Sequence, residues 1–343
     1  MTSEISLEQY LATTAKRSGM HEDLASILLL IASTGAELAK VISRLGLSAQ
    51  SVDTNSTNAD GDIQKPLDIL SHNLFAEALG KLPISFIASE ECDELIEIDA
   101  NAPLAVAIDP LDGSSNIETN TSIGTVFSVL SADTGSIFDS NLGDIQKAAG
   151  FLFYGPQTRL ILTCGDGTHS FVLDPEDDKF YQVSDALRIP AGKHEFAINT
   201  SNYRFWDDSV RYFIDDCIAG ESGPLGEDFN MRWNASLVAE AYRILVHGGV
   251  FLYPGDSRPG YESGRLRLLY EALPFAFIIE QSGGLASDGI EPILDMKLVS
   301  LHKRVPLIFG SSDRVQEVID YITGDAVENT RFPLFENRSL FRN

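Results

Sequence analysis

Ala107-Ile108-Asp109-Pro110-Leu111-Asp112-Gly113-Ser114-Ser115-Asn116 is the stretch that decides how this chain is read. The apolar run Leu104 to Ile108 has the length and composition of a buried strand. It ends in an acid, then a proline, then a second acid three residues on. Asp109 and Asp112 at the mouth of a buried strand supply hard oxygen ligands, and the Leu111 carbonyl between them offers a third. Gly113 lets the backbone approach an anion closely. Ser114 and Ser115 add hydroxyl and amide donors, as at a helix N-terminus or a backbone nest. A plain Asx-turn uses the same residue types, but nothing about a turn requires two acids, a proline and two serines together.

A second acidic pair precedes it: Ser89-Glu90-Glu91 follows the apolar run Ile84 to Ala88. Asp93, Glu94, Glu97 and Asp99 are expected to face water. Glu90 and Glu91 differ by position, because two neighbouring strands would both end in carboxylates at one edge, where open α/β sheets bind ligands. Such acids repel one another unless a cation lies between them. A divalent metal is therefore expected.

Further out, periodicity places two helices between about residues 6 and 45 and another over Pro66 to Leu79. The polar stretch Ser48 to Gly61 reads as a functional flap. Strands are expected at Thr125–Leu130, Ala148–Tyr154, Leu160–Thr163 and Ser170–Leu173, with turns at Asp133-Thr134-Gly135 and Gly165-Asp166-Gly167. A second set follows. It comprises strands at Phe196–Asn199, Val250–Tyr253 and Pro306–Phe309, with helices at Asp208–Cys217, Ser236–His247, Leu268–Ser282 and Asp313–Thr323. Gly283-Gly284 reads as a helix C-cap. The chain is mixed α/β, and the break near Ala186 to Lys193 divides it into residues 1–186 and 187–343.

The size of 343 residues favours two domains. Apolar residues make up 44% and mean hydropathy is near zero, so a sizeable core can form. The net charge of −25 argues against nucleic acid or an anionic membrane as partner. Carboxylates that recruit a cation, which then recruits phosphate, would reconcile this acidity with an anionic ligand. Cys92, Cys164 and Cys217 are too few and scattered for a disulfide framework or a zinc site, and read as buried free thiols. His169, His194, His247 and His302 lack zinc spacing and read as surface or packing residues. The N-terminal residues lack a charged-then-apolar signal layout and no uninterrupted apolar run approaches a membrane span, so the cytoplasm is expected.

Asp109 to Asn116 together with Thr121 to Phe127 (TSIGTVF) resembles the signature of class I fructose-1,6-bisphosphatases, within the lithium-sensitive, magnesium-dependent sugar phosphatases. The likeness extends through Gly61-Asp62, Leu67 to Ser71, Gly248 to Pro254, Gly264 to Glu271 and Leu301 to Ser311, in collinear order over nearly the whole chain. The resemblance implies a layered αβαβα sandwich of the fructose-1,6-bisphosphatase/inositol monophosphatase type. Its N-terminal part would bind metal and phosphate, and its C-terminal part the sugar. It further implies hydrolysis of the 1-phosphate of fructose 1,6-bisphosphate, in gluconeogenesis or the Calvin cycle, by a homotetramer. Two or three Mg2+ ions, with Mn2+ as substitute, would be held by Glu90, Asp109, the Leu111 carbonyl, Asp112, Glu271 and Asp62. Glu91 would be the general base, paired with Asp68. Asp112, Gly113, Ser114 and Ser115 would hold the 1-phosphate side of the substrate. Asn199, Tyr203, Tyr253 and Arg265 would hold the 6-phosphate, with Trp233 beside it and Arg232 reaching over from a neighbouring subunit.

Arg265 stands where many members carry Lys, which keeps the charge and adds a fork. Trp233 stands where Tyr is usual, which makes sedoheptulose 1,7-bisphosphate a reasonable second substrate. Trp206-Asp207 resembles the late metal-ligand signature of inositol monophosphatases, but in a polar helix start Asp207 reads as a cap. A related phosphatase of that type, or a catalytically retired metabolite sensor, are the rival readings; the Tyr253 and Arg265 segments and the complete ligand set speak against them. The cysteine-bearing insertion of chloroplast forms is missing between Ala132 and Ala148, so thioredoxin control is not expected. The AMP-binding turn of the family is replaced by Ser18-Gly19-Met20-His21-Glu22, and its Lys-Tyr pair by Pro103-Leu104. Saturating AMP is accordingly expected to leave turnover essentially unchanged in a phosphate-release assay; strong inhibition would refute this.

Overall fold

The computed structural model describes residues 5–18, 22–45, 66–132, 137–138, 140–184 and 186–324. Asp62, the expected flap, the turn at 133–135 and residues 19–21 of the altered AMP turn lie outside the described residues.

Helices α1 (Leu7–Ser18), α2 (Glu22–Ser43) and α3 (Pro66–Leu79) come first. An eight-stranded sheet follows: β1 (Phe86–Ser89), β2 (Ile96–Glu97), β3 (Leu104–Asp112), β4 (Ile123–Ser131), β5 (Gln146–Tyr154), β6 (Thr158–Thr163), β7 (Thr168–Asp174) and β8 (Lys179–Gln182), in the order β2-β1-β3-β4-β5-β6-β7-β8. The short α4 (Leu142–Ile145) precedes β5. The second half supplies β9 (Glu195–Ala197), α5 (Asp208–Ala219), β10 (Asn230–Met231), α6 (Leu237–His247), β11 (Val250–Tyr253), β12 (Leu266–Arg267), α7 (Leu273–Gln281), β13 (Gly284–Ser287), β14 (Arg304–Val305), β15 (Leu307–Ser311) and α8 (Ser312–Thr323). Its five-stranded sheet has the order β10-β9-β11-β15-β13, and β12 pairs with β14 in a separate ribbon.

The layering follows from which strand residues face which helices. On β3 to β6, Ala107, Val126, Phe151 and Ile161 point into a core shared with α6 and α7, whereas Val106, Phe127, Leu152 and Leu162 point to α1, α2 and α3. Strands with helices on both faces must be apolar throughout, and every residue of β3 and β4 is buried. The second sheet repeats the device. Phe251, Leu307 and Phe309 face α6 and α7, and Val250, Leu252 and Ile308 face α5 and α8. The result is an αβαβα sandwich whose middle helical layer serves both sheets.

The first sheet is built from the consecutive strands joined by turns that the sequence suggests. It is antiparallel throughout except between β1 and β3. Ile96–Glu97 and Lys179–Gln182 are too short or too polar to announce themselves by periodicity, yet they form its two edges. The segment read as one helix from Leu268 to Ser282 opens instead with a π-helical turn, Leu268–Ala272, before α7. Gly283 does follow the helix with φ of 81°, but Gly284 belongs to β13. Of the cysteines only Cys217 is fully buried; Cys92 and Cys164 are half-buried, and all three are free. Although no uninterrupted apolar run is long enough, α2 is long and apolar enough to cross a membrane by length and composition. Its apolar residues Leu24, Ile27, Leu28 and Ile31 are buried in the core beneath the first sheet.

Phe309 shows what the middle layer contributes. It is fully buried, with its ring 4.9 Å from Phe251 and 6.1 Å from Phe275 of α7. Phe309→Ala removes a ring that links the second sheet to that layer, and is expected to lower stability by about 3–5 kcal/mol in urea denaturation.

Candidate active site

Because β1 and β3 are parallel and adjacent, with Ser89 opposite Ile108, their C-terminal ends emerge side by side. The ladder continues one step further, the Glu90 N–H donating to the Ile108 carbonyl at 3.0 Å. Glu90 and Asp109 thus leave neighbouring strand tips. Both follow the alternation of Ala88 and Ala107, which face the middle layer.

Strict alternation would send Asp112 to the opposite face from Asp109. The structure inserts a bulge between them: Asp109 pairs with Val126 but Asp112 pairs with Gly124, three residues on β3 against two on β4. An extra residue inverts the parity of all that follows. Leu111 accordingly joins Ile108 in the core beneath the sheet, and Asp112 turns to the middle layer, where it accepts from the Val238 N–H of α6 at 3.4 Å. The bulge is secured by Thr125, whose hydroxyl donates to the Pro110 carbonyl at 2.9 Å, and by the Leu111 N–H, which donates to Asp109 at 2.9 Å. Pro110 has no N–H to leave unpaired. Opposite the bulge, a Cβ on Gly124 would lie 2.5 Å from Val238, so only glycine lets α6 seat this closely.

Glu271 enters from the π-helical turn, an irregularity often found at functional sites, and its carboxylate accepts from the Arg267 N–H at 2.6 Å. The Arg267 guanidinium meets Glu90, and both side chains are largely buried. Burial first, then Asp112 and Glu271, holds Asp109 well above the usual carboxylate range. Burial and the Glu271 charge push Asp112 up to about 7, and burial raises Glu271 against the pull of Arg267. Among the described residues no three acidic, His or Cys side chains close into a ready coordination shell. Mutually repelling buried carboxylates fit a hard divalent cation, since Mg2+ takes one or two carboxylates and keeps waters and phosphate oxygens as its other ligands.

Beyond Asp112, Gly113 adopts φ of 81° and leads into a 3-10 turn, Ser114–Asn116. Asn116 fixes this turn to the second half by donating to the Ala235 carbonyl at 2.9 Å. Glu91 is half-buried and near enough to Asp109 to raise its pKa. Asp68 is buried on the first turn of α3. One turn on, His72 approaches Ser89 Oγ at 2.9 Å and Cys92 Sγ at 3.6 Å, while His302 donates to the Cys92 carbonyl at 3.0 Å. The Glu90–Glu91 turn is therefore braced from behind by two histidines. His302 was expected only to pack or face water, and His72 carried no sequence signal.

The second cluster lies along β11 and the loop after it. Asn199, Tyr253 and Asn202 line one small recess with Trp206. Asn202, which no motif marked, lines this recess, whereas Tyr203 does not. The Tyr203 hydroxyl donates to both oxygens of Asp215, at 3.0 and 2.9 Å, and a carboxylate there disfavours a phosphate. Trp233 stacks on Phe251 at 6.0 Å and lies 6.3 Å from Tyr253. Arg265 is exposed and lies over the Tyr261 ring at 4.7 Å. The charges of Arg265 and Glu271 both act on the Tyr253 hydroxyl, which joins this cluster to the carboxylates. Arg232 is 56% exposed, its Nε 3.9 Å from Glu195, free to reach outward. Asp207 caps α5 through its backbone carbonyl, which accepts from Arg211, and not through its side chain.

Scaffold and site together define a phosphatase-type layered α/β protein. Two family models divide the chain: "Fructose-1-6-bisphosphatase, N-terminal domain" over residues 5–185 and "Fructose-1-6-bisphosphatase, C-terminal domain" over residues 189–323. A class 1 fructose-1,6-bisphosphatase of Nitrobacter hamburgensis is 49% identical over 345 aligned residues, covering 100% of both chains. That of Rhizobium meliloti is 47% identical and covers 99% of both. The crystal structure of Leishmania major fructose-1,6-bisphosphatase in holo form superimposes with a TM-score of 0.86 at 30% identity, covering 93% of this chain and 99% of that one. The chain belongs to the class 1 fructose-1,6-bisphosphatase family.

The raised carboxylates carry a testable cost. In the metal-free protein burial and the Glu271 charge keep Asp112 protonated to about pH 7, whereas in the unfolded chain it loses its proton near the ordinary carboxylate value of 3.8. The folded state therefore binds more protons between those values, and stability falls as pH rises through that window. Asp112→Asn removes the charge but keeps an oxygen for Val238. With chelator present it is expected to melt above the parent at pH 8, with the advantage shrinking toward pH 4; equal melting curves at both pH values would count against the repulsion.

Proposed function

We propose that this chain hydrolyses the 1-phosphate of fructose 1,6-bisphosphate, releasing phosphate and fructose 6-phosphate. One observation carries the reading: carboxylates at the tips of parallel β1 and β3 meet Glu271 beside a turn rich in amide donors. Glu90, Asp109, the Leu111 carbonyl, Asp112 and Glu271 would hold Mg2+ ions, two or three with Asp62 included, or Mn2+ in their place. When bound, such cations lower the pKa of a coordinated water and offset charge on the departing oxygen.

The chain's own residues do the rest. The Gly113 and Ser114 amides, with Ser115 beside them, hold the 1-phosphate in a turn whose place is set by Asn116. Glu91, half-buried and braced through Ser89 and Cys92, accepts the proton of the attacking water, and Asp68, buried on α3, is paired with it in sharing that charge. Water oxygen bonds to phosphorus as the bond to the sugar oxygen breaks; that oxygen takes a proton from solvent water, and Glu91 returns its own proton to solvent. Asn199, Asn202, Tyr253 and Arg265 hold the 6-phosphate, a dianion that must not react, with Trp233 packed beside Tyr253. Arg232, exposed on one subunit, reaches the site of the next in a homotetramer.

In this reading residues 1–186 bind metal and 1-phosphate and residues 187–343 bind the sugar, with Glu271 crossing between them. Cytoplasmic gluconeogenesis or the Calvin cycle is the setting. Trp233 in place of the usual Tyr favours some turnover of sedoheptulose 1,7-bisphosphate.

Phosphate release should require added magnesium after chelation and be faster on the six-carbon than on the seven-carbon bisphosphate. Glu91→Gln is expected to lower kcat by about 10²–10⁴-fold with little change in KM. A variant that turns over at the parental rate would remove Glu91 from the base role.

A further inference from the structure

The loop that carries Arg265 is tied into a knot of alternating cations and rings. Asp256 N–H donates to the Tyr261 carbonyl at 3.0 Å and Gly264 N–H to the same carbonyl at 3.0 Å, folding the loop on itself. Ser257 N–H donates to the Phe205 carbonyl at 3.0 Å, which joins the loop to the segment just after Asn199 and Asn202. Between these two strands of backbone lies the Arg258 guanidinium, 4.9 Å from the Phe205 ring centre and 4.2 Å from that of Tyr261. Tyr261 also carries Arg265 over its ring, at 4.7 Å.

Arg258 itself is not available to a ligand. Its Nε donates to both oxygens of Asp256 at 2.9 and 3.1 Å, a terminal nitrogen adds a third bond, and its backbone N–H a fourth at 3.0 Å. Asp256 is buried, so one charge cancels the other inside the knot. Arg265 differs: it is exposed and, among the described residues, makes no salt bridge. Its backbone is fixed by Gly264, where φ is 84° and a Cβ would lie 2.2 Å from the Val305 carbonyl carbon. A tight backbone sets where Arg265 begins, and the Tyr261 ring sets where its guanidinium lies.

We infer that Arg258 is a positioning residue for the distal-phosphate site. By standing between Phe205 and Tyr261 it holds the Asn199–Asn202 segment and Arg265 at one fixed separation. The inference rests on the reading that Arg265 binds the phosphate of the substrate that is not hydrolysed. A planar, delocalised cation is needed, because only guanidinium can stack between two rings while donating sideways to a carboxylate; an ammonium cannot do both. The span between the two phosphate sites, and with it the choice among sugar bisphosphates, is then set by a residue that touches neither phosphate.

The test compares two substrates on the same enzyme preparation: fructose 1,6-bisphosphate and fructose 1-phosphate, which lacks the distal group. Any loss of folded protein scales both rates alike and cancels in the ratio of their kcat/KM values. Arg258→Ala is expected to lower that ratio about tenfold, the loss residing in KM for the bisphosphate, and to weaken binding of fructose 6-phosphate by a similar factor. Arg258→Lys should recover little of either. Arg265→Ala should lower the ratio at least as far. If Arg265→Ala lowers the ratio and Arg258→Ala does not, the positioning role is wrong while the distal site stands. If Arg265→Ala leaves the ratio unchanged, the reading of the distal site fails and the inference fails with it.

Discussion

Like charges buried side by side are the constraint around which the molecule is organised. Asp109, Asp112 and Glu271 lie in a low-dielectric interior where each disfavours ionisation of the next. Carboxylates do not gather in this way for stability, since an unpaired buried charge is among the costliest features a fold can carry. Arg267 relieves part of the strain by meeting Glu90 with its guanidinium and Glu271 with its N–H. The remainder is left as attraction for a cation. In a chain of net charge −25 a cation drawn to this cluster would also invert the sign of the local field and let an acidic protein bind an anion.

The rest of the architecture holds those charges in place. α6 and α7 lie between the sheets and press on both, so the carboxylates of β3 and the turn carrying Glu271 are set by one continuous core. Asn116 and Val238 reach across the same seam, one donating to Ala235 and the other to Asp112. The bracing of the Glu90–Glu91 turn by His72 and His302 comes from α3 on one side and from the loop before β14 on the other. Each functional side chain is thus held by an element that enters from a different direction.

Much of this was legible in residues 84 to 116. Apolar runs ending in acids predicted strand tips bearing carboxylates, and the Gly-Ser-Ser sequence predicted the turn after them. The adjacency of β1 and β3 could be inferred from their shared acidic ends, but the order of the remaining strands could not, since periodicity reports which face a residue takes and not which neighbour lies alongside. The edges Ile96–Glu97 and Lys179–Gln182 were hidden as well, being too short or too polar for a periodic signal. The contact of Tyr203 with Asp215 was not legible, because Asp215 lies on a helix whose rotation no local pattern reveals. Arg258 and Tyr261 sit in a loop of ordinary composition, and only its folding back on Phe205 gives them a role.

The bulge in β3 has an evolutionary corollary. Face parity beyond Asp109 depends on the number of residues as well as their kind, much as a message depends on its reading frame. Side chains along Asp109 to Asp112 can be exchanged one at a time and selection can act on each result. Gain or loss of a single codon there would instead exchange the faces of the strand's last residues, turning Asp112 into the apolar core where Leu111 now lies. The length of this segment is therefore constrained separately from the identity of any one side chain in it.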